Sequence, residues 1–260
     1  MRKTLIAAGL ASLMSTAAHA DVVGLYIGAQ IWDNEAEGIF GESGQQRDFN
    51  LGDEQQGSYF IAVEHPIPLI PNLRIASTTL DTTGSTQITE PLEFDDQNFA
   101  AGAQVAASFD VSYIDYTLYY ELFDNGLFSF DFGLTARDFD GDVTLSSQVT
   151  SNDSSGNPVS NTVEGKINTS ETVPMLYAST EVGLMFTGLS LFANGNFLSI
   201  DDHTLYDYQL GVNYAVVDNI AIDVNLQAGY RSVKLELDDL DDLYSDLEFD
   251  GVFAGVTVHF

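Results

Sequence analysis

Apolar side chains return every second residue along much of this chain, and that period limits what it can fold into. In 205–217, Tyr206, Tyr208, Leu210, Val212 and Tyr214 alternate with Asp207, Gln209, Gly211 and Asn213. In 220–237, Ile222, Val224, Leu226, Ala228 and Tyr230 alternate with Asp223, Asn225, Gln227, Gly229 and Arg231. The same pattern runs through 22–32, 109–122 and 127–139. A strand turns successive side chains to opposite faces, so period two predicts half-covered β-strands and excludes amphipathic helices there. Less regular stretches at 56–65, 72–82, 172–186, 189–200 and 247–260 bring the expected count to ten strands.

Residues 182–200 test this expectation, because they carry no charge and are long enough for a membrane-spanning helix. Thr187-Gly188 interrupts the stretch near its middle, and Asn194, Gly195 and Asn196 lie inside it. Those turn and polar signals favour two strands joined by a tight turn. The connections then fall into two classes. Short ones are 66–71, 124–126, 187–188 and 217–219, whereas 33–53, 83–104, 140–171 and 238–246 are long and polar. Only 201–204 is short on the long side.

A soluble β-sandwich and a membrane β-barrel both satisfy alternation, the first with its apolar face inward and the second with that face toward lipid. Tyr and Phe on the apolar faces suit interfacial girdles. Gly, Gln, Asn and Thr on the polar faces suit a wet, packed lumen. Short and long connections alternate as in outer-membrane barrels. The expected fold is therefore an all-β, transmembrane, antiparallel up-and-down barrel of about ten strands, with short periplasmic turns and long extracellular loops.

Both termini fit export to such a place. Arg2 and Lys3, an apolar stretch and Ala18-His19-Ala20 read as a cleaved signal peptide over 1–20, leaving 21–260 as one barrel domain. The last strand places Val252, Ala254, Val256, Val258 and Phe260 on one face. In a barrel it must close on the first strand, because hydrocarbon cannot satisfy an open sheet edge. Phe260, with Val258 and Gly255, resembles the C-terminal signal that outer-membrane assembly machinery reads.

The exported part holds 6 basic residues against 39 acidic ones, which argues against nucleic acid as a partner. There is no Cys, so neither disulfides nor a lipid-modified Cys anchor are expected.

Three stretches carry a resemblance over the full length: "EHPIPLIPN" (64–72), "YTLYYELFDN" (116–125) and "FGLTARDFDGD" (132–142). The chain resembles a group of small outer-membrane β-barrel proteins of Gram-negative gammaproteobacteria. The resemblance implies a fold and a location, and no activity.

Candidate chemistry is sparse. Asp201-Asp202-His203 sits in an expected outer loop, and omptin-type proteases use Asp and His at the outer end of a ten-stranded barrel. No second acidic pair at matching height accompanies it, and a hydrolytic site needs several groups aimed at one atom. A solvated turn is the favoured reading, and no enzyme is expected. His259 falls at the turn end, away from where a lipid A deacylase would need it. The acidic runs Glu90, Glu93, Asp95, Asp96 and Asp238, Asp239, Asp241, Asp242 lack EF-hand spacing. They read as solvated charge or weak divalent bridges to lipopolysaccharide, and neither a cofactor nor a metal centre is expected. "NDS" (152–154) and "NTS" (168–170) match a glycosylation pattern that carries little weight in a bacterial loop.

Few basic residues remain, and two face the expected lumen. A three-residue turn at 124–126 sets Asp115 opposite Thr135, with Arg137 its diagonal neighbour. A turn at 217–219 sets Asp207 opposite Gly229, with Arg231 diagonal. Diagonal neighbours lie within reach of an Arg, so two ion pairs, Asp115–Arg137 and Asp207–Arg231, are expected across the upper lumen. A structural or surface-binding role leads, in contact with outer-membrane lipid and lipopolysaccharide. A narrow pore for small solutes and a surface hydrolase are the alternatives.

Overall fold

The computed structural model describes residues 23–200, 203–219, 221–240 and 243–260. The expected signal peptide lies outside these residues, as do Asp201, Asp202, Asp241 and Asp242. Ten strands close into an antiparallel barrel. In chain order they are β1 (Gly24–Gly41), β2 (Glu54–Glu64), β3 (Asn72–Thr78), β8 (Tyr113–Asp124), β9 (Phe128–Phe139), β12 (Thr172–Leu184), β13 (Leu189–Ile200), β14 (His203–Asn219), β15 (Ile222–Leu240) and β16 (Leu243–His259). Closure is made by β16 against β1, from Tyr26 opposite His259 up to Gly41 opposite Tyr244. Backbone bonds between Leu25 and Phe260 (2.9 and 3.3 Å) extend that seam by one residue.

The long polar segments 83–104 and 140–171 are not open loops. They contain β4 (Asp81–Gln87), β5 (Leu92–Phe94), β6 (Gln97–Phe99), β7 (Gln104–Asp110), β10 (Gly141–Asn152) and β11 (Pro158–Thr169). β4, β7, β10 and β11 form a four-stranded sheet, and β5 pairs with β6 in a small hairpin. The sheet order β11-β10-β7-β4 repeats the barrel order β12-β9-β8-β3. Each outer strand follows or precedes its barrel partner after one or two residues, so this sheet is the upward continuation of the barrel wall. Segment 33–53 is strand as far as Gly41, in β1, and 238–246 is largely strand, in β15 and β16.

Side-chain polarity explains the two-level design. In the lower part of β1, Ile27 and Ile31 point out and are exposed, with Gly28 and Gln30 inward. Higher on the same strand Trp32, Ala36 and Phe40 are buried inside, while Asp33, Glu35 and Glu37 face out. β15 inverts at Arg231/Ser232: Leu226 and Tyr230 are exposed below, and Val233, Leu235 and Leu237 are buried above. β16 inverts between Asp250 and Val252. The period of two runs on through this height, but the apolar set changes face there.

Below that height the outer surface is an apolar belt that includes Leu118, Phe132, Leu134, Leu176, Leu191, Leu210 and Val252. Above it, buried apolar side chains join in one core, with the Phe40 ring packed at a tilt against those of Phe49 (4.8 Å) and Phe109 (5.2 Å). This upper half packs as a sheet-on-sheet sandwich, β1, β15 and β16 against β7 and β10, and fills what would otherwise be an open mouth.

Two registers differ from expectation. Asp115 lies directly opposite Arg137, and Thr117 opposite Thr135, because the chain turns through 125–128, with Asp124 opposite Ser129, and a bulge between Glu121 and Phe123 takes up one residue. Asp207 lies opposite Val233, and Gln209 opposite Arg231. β14 runs on to Asn219, opposite Ile222, and a bulge sits between Ala215 and Val217. Arg231 is still diagonal to Asp207, from the other side.

Candidate functional site

The described lumen has one level rich in paired charge, at the height where polarity inverts. β9 delivers Arg137, fully buried, and β8 delivers Asp115 beside it. Arg137 Nε and Nη2 donate to Asp115 Oδ1 and Oδ2, each at 2.8 Å, a two-pronged pairing. Arg137 Nη2 also donates to Asp207 Oδ2 at 2.8 Å. From β15, Arg231 Nε and Nη2 donate to Asp207 Oδ1 (2.9 Å) and Oδ2 (2.8 Å). The four residues thus form one network around Asp207 instead of two separate pairs.

Uncharged neighbours extend it, leaving Arg137 Nη1 and Arg231 Nη1 without a hydrogen-bond partner among the described residues. Tyr113 Oη donates to Asp207 Oδ2 at 2.7 Å and accepts from Arg231 Nη2 at 3.0 Å. The Tyr113 ring lies 3.7 Å under the Arg137 guanidinium, and the Trp32 ring 4.9 Å from that of Arg231. Asn196 Nδ2 donates to Asp115 Oδ2 at 3.2 Å, and its Oδ1 accepts from Thr135 Oγ1 at 2.6 Å. Tyr113, Trp32 and Asn196 were not anticipated. Their signal was present in the inward phase of β1, β8 and β13, but ring stacking onto a guanidinium depends on cross-barrel distances that no single hairpin encodes. Two positive and two negative groups balance in a buried site, the condition that makes a buried charge tolerable.

Beneath the network, toward the short-turn end, lies a cavity of 250 Å³. Glu64, Glu121, Asp124, Asp131 and Glu181 line it, with Arg74 the basic member. Glu121 and Asp131 are directly opposed on β8 and β9. Tyr119 Oη donates to Glu64 Oε1 at 2.7 Å, and its ring packs 5.7 Å from that of Tyr177. Arg74 stacks 3.5 Å over the Phe60 ring, which occupies space left by Gly28, where a Cβ would lie 2.1 Å from Phe60 Cε1.

The remaining sequence candidates are dispersed. His203 Nδ1 accepts the Asp238 backbone N–H at 3.2 Å. His259 stacks on Tyr26 (4.2 Å) at the opposite end, with Nδ1 3.2 Å from Asp223 Oδ2. Of the residues expected to guide assembly, Gly255 lies between Gln30 and Gln227, Val258 between Ile27 and Val224, and Phe260 is half exposed. Asp95 Oδ2, from an acidic run, accepts the Lys166 backbone N–H at 3.0 Å. Among the described residues no group of three His, Cys, Asp or Glu converges as a metal site would require.

No family model matches this chain, and no curated protein matches it in sequence. Solved structures do. The outer membrane protease OmpT from Escherichia coli superposes with a TM-score of 0.54 at 9% identity, covering 93% of this chain and 98% of that one. The fold is that of the outer-membrane β-barrels. Neisserial surface protein A matches with a TM-score of 0.32 at 17% identity over 91% of this chain and 97% of its own. A Pseudomonas aeruginosa FadL homologue matches with a TM-score of 0.32 at 9% identity, over 92% and 90%. At these identities the likeness extends to architecture alone.

Proposed function

We propose that the protein resides in the outer membrane as a closed barrel and serves a structural or surface-binding role, displaying the β4-β7-β10-β11 sheet on the cell exterior. The observation that carries this is the doubly sealed lumen. The Arg137–Asp115–Asp207–Arg231 network spans it, and a dry core containing Phe40, Phe49 and Phe109 roofs it. A conducting channel needs a continuous wet path, and these two layers oppose one.

The apolar belt suits contact with lipid, and the acidic exterior suits cation-bridged contact with lipopolysaccharide. Export through a cleaved signal peptide and delivery by the assembly machinery belong to the same proposal. So does the kinship to the gammaproteobacterial group suggested by the sequence. A non-catalytic role is favoured over a surface hydrolase because His203 Nδ1 is engaged by a backbone amide and the long-loop end is packed with apolar side chains.

Reconstitution into planar lipid bilayers is the test. The expected result is no stable single-channel current. Steady currents of porin size would overturn the closed-barrel reading and favour the narrow-pore alternative.

A further inference from the structure

The cavity at the short-turn end is strongly acidic. Five carboxylates line it against the single guanidinium of Arg74, and Arg74 is held on Phe60 instead of being ion-paired in any bridge of the described residues. Directly opposed like charges such as Glu121 and Asp131 destabilise a sheet pair. Low-dielectric walls concentrate their field on the space between them. A second, independent feature points into the same space. Asn213, only 7% exposed, lines the cavity and leaves Oδ1 with no hydrogen-bond partner. Thr257, 8% exposed, does the same with Oγ1. Buried polar atoms are ordinarily satisfied, so unpartnered acceptors facing an anionic cavity mark a place for a donor.

The kind of cation follows from the layout. The carboxylates are spread over β2, β8, β9 and β12, and no three of them converge to chelate a metal ion. Aromatic rings line the same cavity: Tyr26, Phe60, Tyr119, Tyr177 and Phe192. Ring faces attract ammonium groups, and separated carboxylates suit amines separated along a chain. The volume, 250 Å³, lies just below the range of ordinary small-molecule pockets, about 300–1,000 Å³, and fits a slender ligand. We infer that this cavity binds a linear organic polycation, a diamine or polyamine, entering from the short-turn end. The network above closes the other route. The inference goes beyond the surface role proposed above and stands whether or not that role is correct.

Calorimetric titration of the detergent-refolded barrel with spermidine tests it. One-to-one saturable binding is expected. Asp131→Asn should weaken it about tenfold, and the Glu121→Gln/Asp131→Asn pair further, as charge-assisted hydrogen bonds are lost. The surface pair Glu35→Gln/Glu37→Gln should leave it unchanged, which separates the cavity from general attraction to an acidic protein. Asn213→Ala keeps every charge and should weaken binding about three- to tenfold by deleting one neutral acceptor, so it replaces the carboxylate variants if they fail to refold. Equal affinity in wild type and all three cavity variants would overturn the inference, as would absence of saturable binding. Displacement of spermidine by stoichiometric Ca²⁺ would overturn the ligand class.

Discussion

Asp207 is the joint on which the luminal network turns, so its removal should cost more than that of Asp115. Asp207 accepts four hydrogen bonds: one from Tyr113, one from Arg137 and two from Arg231. Asp207→Asn leaves Arg137 paired with Asp115, and Arg231 then has no anionic partner in the network. Stranding a buried charge costs about 3–5 kcal/mol. Asp115→Asn is milder, because both arginines still reach Asp207, and its cost should sit near the roughly 1.5–3 kcal/mol of charge-assisted bonds lost.

In Asp207→Asn/Arg231→Met the stranded charge is gone, and most of the loss should return, giving a coupling of about 2–3 kcal/mol. Asp115 and Arg231 do not pair directly, but Arg137 and Asp207 join them, so their cycle should also deviate from additivity by ~0.5–1 kcal/mol. Urea titration in detergent micelles, followed by the fluorescence of Trp32, measures all of this. Trp32 is the protein's one tryptophan, and its ring lies 4.9 Å from the Arg231 guanidinium. Additivity of Asp207→Asn and Arg231→Met within ~0.3–0.5 kcal/mol would refute the shared-joint reasoning. So would an Asp115→Asn cost equal to that of Asp207→Asn.

Cell fractionation should place the protein with outer membrane, and its gel mobility should change on heating; recovery as a detergent-independent periplasmic monomer would contradict the membrane reading. Removing Phe260 deletes two backbone bonds to Leu25 at the seam, and should lower membrane levels in cells far more than it lowers the stability of refolded barrels; unchanged cellular levels would count against a role in assembly. Neutralising the network with Arg137→Met/Asp115→Leu should not open a pore, because the apolar core above it stays in place, whereas excising 80–111 should raise bilayer conductance if that core is the second seal. At the β10–β11 turn, the Asn157 and Ser155 backbone amides and the Asn157 side chain hold the Asp153 carboxyl below its usual range. Its contribution to turn order is complete above the unfolded-state carboxyl pKa and is lost as pH falls through the lower folded-state value; an Asn157 amide signal that titrates at an ordinary carboxylate pKa would disprove this.

Period-two patterning made the barrel strands legible, since lipid-facing and lumen-facing sets differ strongly in Leu118/Thr117 or Leu226/Gln227. It hid the upper sheet. In 143–148, Val143 and Leu145 alternate with Thr144 and Ser146, but small hydroxylated side chains also mark loops, and a long polar segment reads as an extracellular loop. The inversion of faces was equally hidden, because alternation has no sign: Phe40 and Ile31 look alike until their surroundings are known. Asp115, Arg137, Asp207 and Arg231 could be brought to one height by counting from the turns. Exact registers could not, because both hairpins turn later than expected, with Asp124 opposite Ser129 and Asn219 opposite Ile222, and the bulges at 121/123 and 215/217 leave no mark in composition. That Asp207 serves both arginines depends on barrel curvature, which brings β9 and β14 together across the lumen.

The four outer strands are spliced to the wall by one or two residues each, and this has a mechanical consequence. A flap hung on one loop would swing and would pass tension to a single peptide segment. Here a pull on the outer sheet divides among four covalent routes, β3, β8, β9 and β12, laterally clamped by their ladders. Tension along strands loads ladder hydrogen bonds in shear, many at once, and not one after another as in unzipping. The sheet is therefore a stiff mast stepped into the barrel, and a partner tugging on it would draw on the anchorage of the entire wall.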